Sequence, residues 1–87
     1  MQKIDLITYP CDFPIKIMGR MQDGFAQSIL DLVLLHDPLF DASKMELRPS
    51  KKGNYLSITI TIRATSRAQL DNLYRALTAH PMVKVVL

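Results

Sequence analysis

"YLSITITIRAT", residues 55–65, decides the fold. Leu56, Ile58, Ile60, Ile62 and Ala64 fall on one side of this stretch. Tyr55, Ser57, Thr59, Thr61, Arg63 and Thr65 fall on the other. Successive side chains of a strand point to opposite faces, and these residue types favour strands. The stretch therefore reads as a strand with one buried face and one wet face, as antiparallel sheets allow.

Working upstream, "KMELR", residues 44–48, alternates Met45 and Leu47 against Lys44, Glu46 and Arg48. Between the two runs lies "PSKKGN", residues 49–54. Pro49 cannot donate to a ladder, and Gly53 supplies a positive φ. A short glycine-containing connection between alternating runs predicts a β-hairpin, with Lys51, Lys52 and Gly53 at its tip.

Downstream, "SRAQLDNLYRALTAH", residues 66–80, predicts a helix. Ser66 and Gln69 have the spacing of a capping box. Leu70, Leu73, Tyr74 and Leu77 form one apolar stripe. Pro81 ends the helix, and "MVKVVL", residues 82–87, follows as a strand with Val83, Val85 and Leu87 expected inward.

The first half repeats this order. "FPIKIM", residues 13–18, places Phe13, Ile15 and Ile17 on one side, with Pro14 expected at the strand's very start. Gly19 ends it, and Asp23 is the expected N-cap of a helix from Gly24 to about His36. Its stripe is Phe25, Ile29, Leu32, Val33 and His36. Leu30, Leu34 and Leu35 widen the apolar sector, which leaves two readings open: a broad core contact or a subunit interface.

The element order is β-α-β-β-α-β. It implies an α+β, ferredoxin-like sandwich: a four-stranded antiparallel sheet of order 4-1-3-2 with two helices on one face. Residues 13–87 form the single domain, and residues 1–12 an N-terminal arm. The chain has 87 residues, with eleven Lys and Arg against eight Asp and Glu. This mildly basic balance permits phosphate contacts without demanding them. Cys11 is the only cysteine, so no intrachain disulfide forms, which fits a reducing compartment. No apolar run approaches the roughly 20 residues of a membrane span, and the expected location is the cytoplasm.

The bare sheet face is expected to carry Lys16, Lys44, Arg48, Arg63 and Lys84, with Glu46 as its only acid. Such a face attracts anions, although Lys, Arg and Thr are also ordinary residues for a wetted sheet. Only Tyr55 offers an aromatic ring there, so base stacking on single strands is not favoured. Weak electrostatic nucleic-acid binding is the alternative reading. The loop "MGRMQDGF", residues 18–25, is the candidate lip of a ligand pocket. Gly19 and Gly24 allow close backbone approach, Arg20 offers a bidentate contact, and Asp23 opens the helix. Cys11, Ser50, His36 and His80 are scattered, so no catalytic constellation, metal site or cofactor motif is expected.

"YPCDFPIKIMG", "RPSKKGNYLSITITIRATS" and "MVKVVL" together resemble the YbeD-like family of small bacterial proteins of unknown function. The resemblance runs from Tyr9 to Leu87 and is most specific in "SKKGNYLSITI". It implies a ferredoxin-like fold similar to ACT regulatory domains, and no catalytic residues to carry over. In ACT domains, ligands bind around the loop after the first strand, usually at a subunit interface, which by that similarity points to Gly19, Arg20 and Asp23. Met18 stands where many ACT loops carry a proline. The expected function is a non-catalytic regulatory or adaptor module, as a homodimer or alone, that binds a small anionic metabolite or a protein partner.

Overall fold

The computed structural model describes residues 8–87. Six regular elements follow one another: β1 (Cys11–Arg20), α1 (Phe25–His36), β2 (Glu46–Pro49), β3 (Tyr55–Ala64), α2 (Arg67–Ala79) and β4 (Val83–Val86). The sheet order is β2-β3-β1-β4, every pairing antiparallel, which is the expected order read from its other edge. The arm expected over residues 1–12 lies outside the described residues as far as residue 7, and Cys11 and Asp12 already belong to β1.

The alternation of β3 sets the core. β1 and β3 pair along their full length, which puts Phe13 opposite Ile62, Ile15 opposite Ile60 and Ile17 opposite Ile58. These six side chains are buried, and Leu70, Leu73 and Leu77 of α2 and Phe25, Ile29 and Val33 of α1 close over them. Each such aliphatic side chain contributes about 1.5–3 kcal/mol on leaving water. Leu30, Leu32 and Leu34 pack against the rim of the same core. Broad core contact therefore accounts for two of the three extra leucines, while Leu35 stays 79% exposed.

Pro14 does not start β1 but sits inside it, opposite Thr61. The reason is parity. Lys16 exchanges both its backbone hydrogen bonds with Leu87, on the β4 side. Two residues earlier, the nitrogen of Pro14 faces the same side, where β4 pairs with no residue before Lys16. No described residue pairs with β1 on that side, so the ladder loses no donor at Pro14.

Asp23 is not the N-cap of α1. Gly24 takes that position with φ 82° and no side-chain cap, and its carbonyl accepts the Ser28 N–H at 2.8 Å. A left-handed conformation at the cap favours glycine over aspartate. Helix α2 begins as its spacing predicts: the Ser66 hydroxyl accepts the Gln69 N–H at 3.1 Å. The return bond differs from the standard box, because Gln69 Oε1 accepts from the Thr65 N–H at 2.7 Å.

Two strands depart from the alternation in the sequence. Lys44 is not in β2; it ends a 3₁₀ turn, Ala42–Lys44, capped by Asp41, whose carboxylate accepts the Ser43 N–H. This local bond turns the chain before the strand begins. In β4 the expected phase breaks. Val86 pairs with Ile17, Val85 with Met18, and Val83 with Gly19, so Lys84 is the extra residue of a bulge. Val83 and Val86 pack against the core, whereas Val85 and Leu87, expected inward, lie on the opposite face.

The hairpin forms as expected. Ser50 donates its N–H to the Tyr55 carbonyl at 2.8 Å and accepts the Tyr55 N–H on its hydroxyl, and Gly53 has φ 74°. The same parity turns the nitrogen of Pro49 toward the outer edge of β2, leaving Leu47 as that strand's one residue with both an N–H and a C=O directed outward.

Candidate functional site

The face of the sheet away from the helices is uncovered among the described residues. Its rows follow from the strand register. Asp12 stands beside Arg63, and Pro14 beside Thr61. Leu87, Lys16, Thr59 and Glu46 make the next row across four strands. Val85, Met18, Ser57 and Arg48 make the one after it. Arg20 and Tyr55 complete the face near the hairpin.

The charge pattern differs from the expectation at several points. Asp12 is a second acid on this face, and its carboxylate pairs with Arg63 at 3.2 Å. Both partners are well exposed, so the bond orients Arg63 more than it stabilises the fold. Lys44 leaves the face with its 3₁₀ turn, and Lys84 sits in the bulge with no cross-strand partner. Lys16 and Arg48 remain as expected, and Arg20 joins them from the loop group. Around Met18 these cations border an aliphatic patch that includes Val85 and Leu87, 44% and 62% exposed.

The expected pocket lip is only partly assembled. Gly19 is buried, and a Cβ there would collide with the carbonyl oxygen of Met82 and the ring of Phe25. Its lack of a side chain therefore serves close packing of β1, α1 and the approach to β4. Asp23 is exposed, and Gly24 works as the helix cap. Arg20 points away from this group toward the hairpin. With Met21, Gln22, Gly53, Asn54 and Tyr55 it lines a hollow of about 450 Å³. The Met21 N–H donates to the Asn54 carbonyl at 2.8 Å, which ties the loop to the hairpin. Lys51 and Lys52 stay exposed at the tip, away from the lining of this hollow.

A second hollow, of about 420 Å³, lies where α1 turns back to the sheet, between the Asp37–Asp41 loop and the Arg63 end of β3. Asp37 is buried there and its Oδ2 accepts the Arg63 N–H at 3.1 Å. The hollow mixes Lys44 and Arg63 with Asp12, Asp37 and Asp41, so neither sign of charge prevails. The histidines close helix ends. His36 Nδ1–H donates to the Leu32 carbonyl, and His80 Nδ1 accepts the Met82 N–H. Among the described residues no three His, Cys, Asp or Glu side chains gather as a metal site, and no helix is long and apolar enough to cross a membrane.

Besides Pro14 and Arg20, the sequence reading does not place Asp12, Val85 and Leu87 on the bare face. Alternation from Pro14 back to Asp12 carries the signal for Asp12. For Val85 and Leu87 no signal exists, because the bulge is set by pairing between distant strands.

Comparison with known proteins agrees with this architecture. A family model described as a protein of unknown function, DUF493, matches residues 5–87. A UPF0250 protein of Ralstonia nicotianae is 67% identical over 82 residues, covering 94% of this chain and 84% of the relative. A UPF0250 protein of Nitrosomonas europaea is 58% identical over 87 residues, covering 100% of both. Among solved structures, protein HP0495 of H. pylori superimposes with a TM-score of 0.75 at 15% identity, covering 100% of this chain and 96% of that one. The ACT domain from GTP pyrophosphokinase of Chlorobium tepidum gives a TM-score of 0.60 at 21% identity, covering 88% and 97%. The last two likenesses establish the fold.

Proposed function

This chain belongs to the DUF493 (UPF0250, YbeD-like) family of small bacterial proteins, and on that premise we propose that it is a non-catalytic regulatory or adaptor module of the cytoplasm, docking a partner protein on its bare sheet face. One observation carries the reading: Lys16, Arg20 and Arg48 border Met18, Val85 and Leu87 on a surface that no other element covers among the described residues. Exposed apolar area bordered by charge is the make-up of an interaction surface. The likeness to an ACT domain from an enzyme of nucleotide metabolism fits a regulatory part rather than a catalytic one, by analogy of fold.

A small anionic metabolite is the weaker version of this reading. Phe25 and Met82 occupy the space beside Gly19 that a ligand at the loop would need. Nucleic acid is weaker again, because Tyr55 is the face's one aromatic ring.

The test is a capture experiment with the whole chain immobilised, followed by cross-linking to map contacts. The reading expects a bacterial cytosolic protein cross-linked at the Lys16 face and lost when Met18→Asp is introduced. Capture at the helix side alone, or unchanged capture by the Met18→Asp protein, overturns it. In parallel, amino acids, keto acids and lipoate are expected to leave the amide resonances of residues 19–24 unmoved. A saturable shift there restores the small-ligand version.

A further inference from the structure

The geometry points to an acidic amphipathic helix of a partner protein as the occupant of the bare face, an assignment that rests on reading that face as a docking surface. Met18 stands on β1 between Lys16 and Arg20, two residues from each. The rise of a strand puts each of those positions about 7 Å from Met18 along the chain direction. Val85 lies beside Met18, and Leu87 beside Lys16, on the adjoining strand. Arg48 lies two strands away in the Met18 row, roughly 10 Å across the sheet. The aliphatic centre thus has cations on three sides.

None of Lys16, Arg20 and Arg48 has an ion-pair partner among the described residues. Of the two acids of the face, Asp12 is held by Arg63, and Glu46 stands in the Lys16 row two residues from Arg48 without an ion pair to either, so three cations face one carboxylate around the patch. The complementary surface has aliphatic side chains in the middle and carboxylates around them. A helix presents this arrangement readily. Its apolar stripe is one side chain to two wide, and acidic residues on its flanks reach outward to both sides. An extended segment draws its affinity from backbone pairing at a strand edge, which an open face does not offer. A nucleic acid would supply the negative charge but would leave Val85 and Leu87 without apolar partners.

The experiment uses the full chain labelled with ¹⁵N. It is titrated at about 20 mM salt with a helical peptide of about five turns. The peptide carries leucines at helical spacing flanked by glutamates. A second peptide has lysine for every glutamate, and a thymidine oligonucleotide serves as the polyanion without an apolar stripe. Saturable shifts are expected at Met18, Ser57, Val85 and Leu87 with the acidic peptide, and none with the lysine peptide. Lys16→Ala and Arg48→Ala each weaken binding roughly threefold, and Val85→Ser weakens it with the charges intact. All three positions are exposed, so retained dispersion of the amide spectrum verifies the fold of each variant.

Absence of shifts with the acidic peptide overturns the assignment. So does equal binding of the lysine peptide, or tighter binding of the oligonucleotide through the same cations. If a cytosolic partner cross-links to this face while the acidic peptide leaves it undisturbed, the docking reading stands and the acidic-helix assignment falls. If neither engages the face, both fall.

Discussion

The side-chain amide of Gln69 donates to the backbone carbonyl of His36 at 2.8 Å. One residue thereby joins the first turn of α2 to the last turn of α1. Its oxygen meanwhile accepts the Thr65 N–H at 2.7 Å. The carbonyls at a helix C-terminus lack partners within the helix, and here a side chain from another helix supplies one. Gln69→Ala removes these bonds, together with those to the Thr65 hydroxyl and the Arg63 carbonyl, and is expected to destabilise the protein by about 1–2 kcal/mol. Gln69→Glu keeps the acceptor and loses the donor, so it is expected to fall between the two. Urea denaturation of the three proteins measures the order.

Asp37 makes the companion link from the α1 side, its carboxylate accepting the Arg63 N–H of β3. Truncation to alanine leaves a part-buried donor without a partner, at a cost of about 1–3 kcal/mol. Asn retains an acceptor oxygen, so Asp37→Asn is expected to cost clearly less. Thermal unfolding at neutral pH compares them, and equal losses would show that charge, not the accepted bond, matters at this position.

Gly19 has space on no side for a β-carbon. The Met82 carbonyl and the Phe25 ring both stand where it would go. The obstacle on one side is backbone, which side-chain rotation cannot relieve. Gly19→Ala is expected to destabilise by about 1–3 kcal/mol, the range of an overpacked core. In a Phe25→Leu background, Gly19→Ala is expected to cost clearly less if the ring is the main obstacle, and as much as in the unaltered protein if the carbonyl is.

Asp41 titrates below its ordinary value of 3.8. The Ser43 hydroxyl is the main cause, followed by the Ser43 N–H, and Lys44 adds to them. Because the folded-state value is depressed, the stabilisation it provides is present at neutral pH and is lost as acid carries the pH down through that value. Carboxyl resonances followed by NMR are expected to show the depression, and Ser43→Ala should move the midpoint back toward 3.8. An unchanged midpoint would assign the effect to the backbone bond.

The elements that read correctly from the sequence are those whose pattern is local. β3 alternates without interruption through five buried side chains, from Leu56 to Ala64. α2 carries its own cap and stripe. The errors fall where a distant partner or a competing local bond decides. Lys44 alternates correctly with Met45 yet leaves the strand because Asp41 caps a turn first. Val85 and Leu87 change faces because β4 gains one residue against Met18 and Gly19 of β1. That change also reshapes the candidate site, turning a face read as basic into one that is both basic and apolar. A loop glycine allows close backbone approach, but whether a ligand or a neighbouring ring makes that approach depends on packing that no local pattern records.

Pro49 faces outward from β2, and only Leu47 beside it presents a complete set of backbone groups. The opposite rim, β4, carries no proline, and its one irregularity is the bulge at Lys84. Head-to-tail growth of the sheet would join the β2 rim of one molecule to the β4 rim of the next, so the guarded β2 rim obstructs stacking into a fibre at every junction. Where two copies join by extending their sheets, like rim meets like rim about a two-fold axis, and the assembly terminates at a pair.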